Sequence, residues 1–396
     1  MERTQAVPPQ ADVVVVGGGV MGTSVAFHLA EAGADVVLLE SGELGRGSSG
    51  KPLGGVRAQF SDPANVALGH RSLELFEEFR RRPGSDVGLR QTGYLFVLPT
   101  DDDVALFGRS VAMQRELGVD SRLLTVAEAR RLNPYLSATT YAGAAYAPRD
   151  GWARPAAVVA GYADGARRCG ASVVTSAPVT AVEPAPGGRL AVVTPRGAVA
   201  APAVVVCAGA WSRAVGALAD VDLPVDPVRR QIAFTGPLEP VPPALPFTID
   251  FGTTFYLHNA DARGSLLLGA SEPDTPVGFD TTYDRAWEPW LRELAARATP
   301  ALADAPLTGG WAGLYELTPD HDALIGEAPG APGGARVLYA CGFSGHGFLQ
   351  APAVGEAVAD LYLGRAGTPA ARGVDVSAFD AGRFGARRTR TEANII

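Results

Sequence analysis

Short apolar runs alternate in this chain with longer stretches of helical period. Val13 to Val16 is apolar throughout and short enough for a buried strand. Gly17-Gly18-Gly19-Val20-Met21-Gly22 follows, then a helical pattern with Met21, Val25, Leu29 and Ala32 on one face. Gly33 stands where a glycine ends a helix, and Val36 to Leu39 predicts a second strand closing on Glu40. Further on, the pattern predicts helices over Pro63–Arg81, Asp101–Leu117, Thr125–Leu132, Ala156–Cys169 and Arg285–Ala298. It predicts strands over Gln91–Leu98, Ala171–Val174, Val225–Gly236 and within Phe247–Leu268. Val179–Glu183, Leu190–Thr194 and Val199–Val206 read as a small β-meander. Val337–Ala340 reads as a last strand, and a helix is expected from about Pro352, in its first turn, to Leu363.

The stretch from Asp12 to Glu40 carries the first chemistry. Its glycines fit G-x-G-x-x-G between a strand and a helix. Gly17 allows the tight turn, Gly19 lets backbone approach a pyrophosphate, and Gly22 lets helix and strand pack closely. Free N–H groups at the helix start hold phosphate charge. Glu40, eighteen residues beyond Gly22, suits a ribose 2′-hydroxyl and repels a 2′-phosphate. The ligand is an ADP-containing dinucleotide, FAD or NAD.

Composition narrows the class. The 396 residues are 47% hydrophobic and 19% charged, enough for two or three domain-sized units. A net charge of −8 without a basic stripe argues against nucleic acid. No run of 18 apolar residues and no secretory pattern occur, so no membrane span and a cytoplasmic protein are expected. Cys169, Cys207 and Cys341 are far apart and odd in number, which fits a reducing compartment and no metal site. Lys51 is the one lysine among 34 basic residues. It stands in a long Gly/Ser loop, Ser41 to Gly55, of the kind that carries function. Gly367 to Ile396 is polar and Arg-rich, with frayed last residues expected.

Apolar runs also close on glycine at Gly209, within Val204 to Trp211, and at Gly342, within Cys341 to Gly347. Junctions this far apart predict one nucleotide-binding domain assembled from several segments. At this point the chain resembles the D-amino-acid-oxidase-like FAD enzymes, nearest the sarcosine oxidase β-subunit and dimethylglycine dehydrogenase branch. The residues carrying the likeness are VVVVGGGVMG…LLE, GLYELTPDHDALIG at Gly313 to Gly326, and GFSGHGFLQAPAVGEAVADL at Gly342 to Leu361. The resemblance implies an α/β protein, α+β overall: a discontinuous Rossmann-like FAD-binding domain with an inserted antiparallel β-sheet substrate domain. The expected division is 1–88, 150–230 and 325–396 for FAD, and 89–149 and 231–324 for substrate. The implied reaction is hydride transfer from a C–N bond of an amino acid or N-methyl amine to flavin, with hydrolysis of the product imine. A 2-hydroxy-acid dehydrogenase, or a flavin-bearing subunit of an electron-transfer complex, are the alternatives.

The expected cofactor shell follows the junctions. It takes Gly17, Gly19, Val20, Met21, Gly22, Glu40 and Ser41 from the first, and Ser48, Ser49 and Lys51 from the glycine loop. Val179 joins them, with Ala208, Gly209 and Trp211 from the second junction. The third supplies Gly342, Phe343, Ser344, Gly345, His346, Gly347 and Phe348, with helix-start N–H groups facing the flavin edge that gains charge on reduction. The resemblance gives Arg57 the substrate carboxylate, which a guanidinium fork suits, and makes Tyr315 substrate-facing. A surface arginine and a core aromatic are the competing readings. His346 touches either the flavin or its own loop.

The departures from the family pattern matter as much. Gly313 stands where related enzymes carry a flavin-linking cysteine, and Ser41 to Gly55 lacks the linking histidine, so FAD is expected to be non-covalent. The family's second carboxylate-binding cation is Leu349 here, and its oxygen-activating lysine is Leu267. The acceptor is therefore O2, with charge from Lys51, Arg57 or protonated His346, or a quinone or other carrier; the leucine favours the carrier.

Overall fold

The computed structural model describes residues 6–51, 53–260, 263–330, 334–385 and 392. One sheet has six strands in the order Leu324–Glu327, Arg336–Cys341, Ala203–Val206, Val13–Val16, Val36–Leu39 and Ser172–Val174. All neighbours run parallel except the edge strand Leu324–Glu327. We label Val13–Val16 β1, the helix Val20–Glu31 α1 and Val36–Leu39 β2. The four valines of β1 are buried on both faces. Val13 and Val15 meet the helices, and Val14 and Val16 meet a three-stranded meander on the other side. That double burial is why the sequence shows an unbroken apolar run there.

The meander ends earlier than the sequence suggests. Val199–Val206 is two strands, Gly197–Ala201 in the meander and Ala203–Val206 in the parallel sheet, with Pro202 between them. Proline has no N–H for a ladder, so the chain changes sheets at that point.

α1 packs on Pro155–Arg168 and on the last long helix. That helix runs Gly347–Tyr362, with Pro352 in its interior and not in its first turn. Neighbouring helices satisfy the backbone around the proline. Ser72 Oγ donates to Gln350 O and accepts from Ala353 N, each at 3.1 Å, and Ser24 Oγ donates to Ala351 O at 2.8 Å. Glu356, buried, ties the same helix to Arg71 and Arg82 at 2.9 and 2.8 Å. The helix from Pro63 ends at Glu77, short of Arg81.

The second large sheet has eight strands in the order Leu307–Leu317, Asp226–Thr235, Leu266–Ala270, Tyr256–Asn259, Phe247–Asp250, Tyr94–Leu98, Gly143–Ala147 and Arg122–Leu124. It is antiparallel apart from one parallel pair, Phe247–Asp250 with Tyr94–Leu98. We label Asp226–Thr235 β3 and Leu307–Leu317 β4; they pair along their whole lengths. Phe247–Leu268 resolves into Phe247–Asp250, Tyr256–Asn259 and the start of Leu266–Ala270, with a turn at Phe251–Thr253 between the first two. β4 is not legible in the sequence because Leu307-Thr308-Gly309-Gly310-Trp311 looks like a turn. Its glycines answer to neighbours: a Cβ on Gly310 would lie 1.9 Å from Ile232 O. The frayed end expected from the sequence lies outside the described residues at 386–391 and 393–396.

Candidate active site

One cavity of about 900 Å³ runs from the turn after β1 to the face of the eight-stranded sheet. Its first end is a glycine cradle. Gly17 has φ +115°, and a Cβ there would lie 2.3 Å from Cys207 O. Glu40 Oε2 accepts from Gly18 N at 2.7 Å and Oε1 accepts from Gly42 N at 2.7 Å, so this carboxylate pins two backbone turns at once. Ser49 Oγ accepts from Val20 N at 2.9 Å, at the start of α1. Gly17, Gly19, Val20, Met21, Glu40, Ser41, Ser48, Ser49 and Val179 all face this part of the cavity. Gly22 does not. It packs behind the wall, where a Cβ would lie 1.8 Å from Gly17 O.

The middle is walled by Ala208, Gly209 and Trp211 on one side and by the glycine loop on the other. Lys51 faces the cavity here, with Trp311 Nε1 donating to its carbonyl at 3.0 Å. A Cβ on Gly313 would meet Lys51 Cβ at 2.8 Å, so the glycine makes room for the lysine stem. Leu267 is buried among aromatic side chains and does not line the cavity.

At the far end Phe343, Gly345, His346, Gly347 and Phe348 reach the wall, so the start of the last helix does face the cavity. Gly342 and Ser344 stand behind it. A Cβ on Gly342 would lie 2.5 Å from Thr318 Cγ2, and Ser344, at φ +49°, donates through its N–H to Glu316 O at 3.0 Å. Both serve the loop's shape. Gly345 has φ +98°, and a Cβ there would strike the Tyr315 ring at 2.5 Å.

Arg57 is 1% exposed and lies in this wall. Nη1 donates to Gln59 O, Nη2 sits 3.2 Å from His346 Nε2, and the guanidinium carbon lies 4.1 Å from the centre of the Phe60 ring. Burial, then the Arg57 charge, hold His346 well below the usual histidine range. His346 is therefore a neutral acceptor for Arg57, which removes it as a source of positive charge. Asp150, fully buried behind Arg57, accepts from Ala58 N and Gln59 Nε2 at 3.2 and 3.3 Å. Burial pushes its carboxyl up to about 7 against those bonds. The remaining wall is aromatic. Tyr94 and Phe247 stack at 4.5 Å with Tyr256 beside them, and Tyr315 and Arg230 face them across β4 and β3.

Asp150, Arg230 and Glu316 were not singled out from sequence. Glu316 carries a signal, the one charge on its strand; Arg230 has Asp226, Arg229 and Gln231 on the same strand and Asp150 lies in a polar turn, so neither stands out before burial is seen.

The wall fits a dinucleotide on its own evidence. It offers a backbone cradle at a helix start, and buried polar atoms of lining residues have no protein partner, among them Ser48 Oγ and Glu316 Oε2. Burial pushes the Glu316 carboxyl up to about 7 against a bond from Gly342 N–H. Among the described residues no group of His, Cys, Asp and Glu is arranged to hold a metal. A split parallel sheet with such a cradle, opening onto an aromatic and arginine-lined sheet face, defines a dinucleotide-dependent oxidoreductase.

The chain belongs to the FAD dependent oxidoreductase family, whose model matches residues 12–361. It is an FAD enzyme. It is 32% identical to "Glycine oxidase" of Geobacillus kaustophilus over 88% of this chain and 92% of that protein. It is 30% identical to "Dimethylglycine dehydrogenase, mitochondrial" of Rattus norvegicus over 90% of this chain, but spans only 44% of that longer protein. Among solved structures it superposes on L-proline dehydrogenase from P. horikoshii with a TM-score of 0.88 at 30% identity, covering 97% of this chain and 100% of that one. These relatives agree with the resemblance read from the sequence motifs. Among the described residues no helix is long and apolar enough to cross a membrane.

Proposed function

We propose that this chain oxidises the C–N bond of an amino acid or an N-substituted amino acid. Its FAD is held without a covalent link, and the protein works in the cytoplasm. The observation that carries the reading is the single cavity joining the glycine cradle to the Arg57–Tyr315 wall. FAD held by the glycine cradle would supply the hydride acceptor for the substrate C–H. The chain's residues do the positioning. Arg57 is fixed by Gln59 O and His346, and its guanidinium in the cavity wall faces the substrate acid group. The aromatic wall excludes water and holds the apolar part of the substrate. Segments 1–88, 150–230 and 325–396 form the FAD unit in this reading, and 89–149 and 231–324 the substrate unit. Gly313 supports non-covalent flavin, because Lys51 occupies the room beside it.

The acceptor turns on Lys51. Leu267 sits off the cavity wall and Lys51 on it, which supports oxygen as acceptor with Lys51 stabilising superoxide. Stopped-flow reoxidation in air-saturated buffer should be faster than for free reduced flavin, and Lys51→Met should slow it roughly ten-fold. A wild-type rate no faster than free flavin would make the protein a dehydrogenase. The activity itself is tested by anaerobic flavin bleaching against a panel of amino acids, N-methyl amines and 2-hydroxy acids. Bleaching by the nitrogen compounds alone is expected, with yellow flavin freed by acid; bleaching by hydroxy acids alone would overturn the reading.

A further inference from the structure

Leu349 raises a charge question. It lines the cavity where the family resemblance leads one to expect a cation. Another strand supplies one. Arg230 of β3 stands opposite Gly313 of β4, two residues from Tyr315, and faces the same cavity. Its guanidinium carbon lies 5.6 Å from the centre of the Tyr315 ring. Nη1 donates to Arg229 O at 3.0 Å and to Thr275 Oγ1 at 3.2 Å. Its buried Nε has no partner.

The contrast with its surroundings is informative. Neighbouring Arg229 pairs with Asp280 at 2.9 Å, whereas among the described residues Arg230 makes no ion pair. Burial pulls its pKa down, and the groups opposing this are the Tyr315 and Tyr256 hydroxyls before the Glu272 carboxylate. On Arg57 burial is opposed by the Tyr94 hydroxyl and then by Glu392 and Asp150. Arg230 is half-buried in the cavity wall with no ion pair of its own among the described residues, and an anion in the cavity would give it one. Both arginines act on the Tyr315 phenol, which burial otherwise raises. Arg57 reaches the same place through His346, whose neighbour Gly345 packs against the Tyr315 ring, so both cations border the cavity beside Tyr315.

We infer that Arg230 is the second cation of the substrate-acid subsite, holding the substrate carboxylate beside Tyr315 together with Arg57. This rests on the amino-acid reading above. Arg230 faces the cavity with an unpartnered Nε and makes no ion pair among the described residues, so a substrate carboxylate there would meet a cation that no protein carboxylate bridges. The substrate's acid group then lies beside Tyr315 and its apolar part meets the Tyr94–Phe247–Tyr256 wall.

The holoenzyme tests this in two ways. Benzoate and benzamide are titrated while the flavin absorbance is followed, and kinetics are compared for amino acids and their amides. Arg230→Gln should weaken benzoate roughly 10- to 100-fold and leave benzamide within about two-fold. KM for the amino acid should rise in step, kcat should change less, and Arg230→Lys should fall between. Equal effects on acid and amide, or none, would overturn the assignment. Should Arg230→Gln lose flavin, Arg230→Lys carries the same comparison, since an ammonium keeps the charge and loses the fork. The two readings fail separately. Wild type that binds benzoate through Arg230 but bleaches with no amine or amino acid refutes the C–N reading alone. Wild type that bleaches with amino acids while Arg230→Gln discriminates as before refutes only the Arg230 assignment.

Discussion

At the glycine end of the cavity the groups offered to a ligand are mostly backbone, set chiefly by one stretch of thirty-odd residues, Asp12 to Gly45, with Ser48, Ser49 and Val179 beside it. At the sheet end they are side chains from strands more than two hundred residues apart, such as Tyr94 and Tyr315. The first end has little freedom, because a cradle for phosphate is a matter of φ angles and close approach. The second can trade a cation between positions, Leu349 for Arg230, while the fold stays as it is. Conserving the cofactor and changing the substrate is what this division of labour permits.

The hardest way to break the glycine end is Gly22→Ala. Its Cβ would lie 1.8 Å from Gly17 O, inside a helix–strand contact that cannot open without moving β1. We expect a loss of about 3 kcal/mol or more and purified protein without flavin. Gly42→Ala, on the loop that follows β2, meets nothing closer than 3.6 Å and should keep both stability and colour. Thermal melts and the 450 nm absorbance read the pair together. Equal tolerance at the two sites would mean that the cradle is soft.

At the sheet end, Arg57→Ala should raise KM for amino acids about 100-fold and for uncharged amines only a few-fold. It also strips His346 and Gln59 O of their donor, so some loss of kcat is expected for both classes. Arg57→Lys should recover part of the KM and none of the discrimination that a planar fork provides. An equal KM change on both substrate classes would make Arg57 a packing residue, with its guanidinium serving Phe60.

Glu40 gives a smaller effect, back at the glycine end. Glu40→Ala removes acceptors for Gly18 N and Gly42 N and any bond to the ribose. A loss of about 1–2 kcal/mol, or roughly 5- to 30-fold in the FAD dissociation constant, is expected from apoprotein titration. Glu40→Gln keeps one acceptor and should lose less. An unchanged constant in the alanine variant would show that the turns hold themselves.

How far the sequence could be read follows the same divide. β1, α1, β2 and Glu40 are contiguous, and each residue type there has one job, so the motif was legible to within a residue. The last helix was misjudged by one turn and more, because Ser72 and Ser24 satisfy the backbone around Pro352 from other helices, which no local pattern reveals. β4 was missed because its glycines serve Ile232, Tyr283 and Lys51 across the structure and weaken the strand signal. Tyr315 and Arg57 were found only through resemblance to a family. Arg230 was not found, since pairing with Gly313 is a fact of register and not of composition. His346 was assigned two roles from sequence, and its burial against Arg57 leaves it neutral.

The smallest effect we expect concerns acid, and its sign depends on both ends. Burial raises two carboxyls, Asp150 from 3.8 and Glu316 from 4.5, each to about 7. Between those values and 7 the folded protein holds these protons and the unfolded chain does not, so this contribution is full at low pH and fades as pH rises towards 7. Burial lowers three histidines from 6.5, with His28 and His258 near 4 and His346 well below the usual range. Below 6.5 the unfolded chain takes up these protons first, so this contribution fades as pH falls. Over about pH 5 to 6 the histidines outnumber the carboxyls by one, and stability should decline gently towards acid, by about 1.4 kcal/mol per pH unit at most. Asp150→Asn removes one opposing carboxyl and should roughly double that slope; because a neutral amide stands in for the protonated carboxyl and can still accept from Ala58 N, the two proteins should melt alike near pH 4, with the variant the more stable above pH 8. Glu316→Gln should steepen the slope equally in apoprotein and less in holoenzyme, where flavin contacts reset its environment. Melts of both variants at half-unit pH steps decide the matter. A slope in Asp150→Asn no steeper than wild type would mean that Asp150 is ionised beside Arg57 in the folded protein, and that the charge behind the substrate cation is permanent.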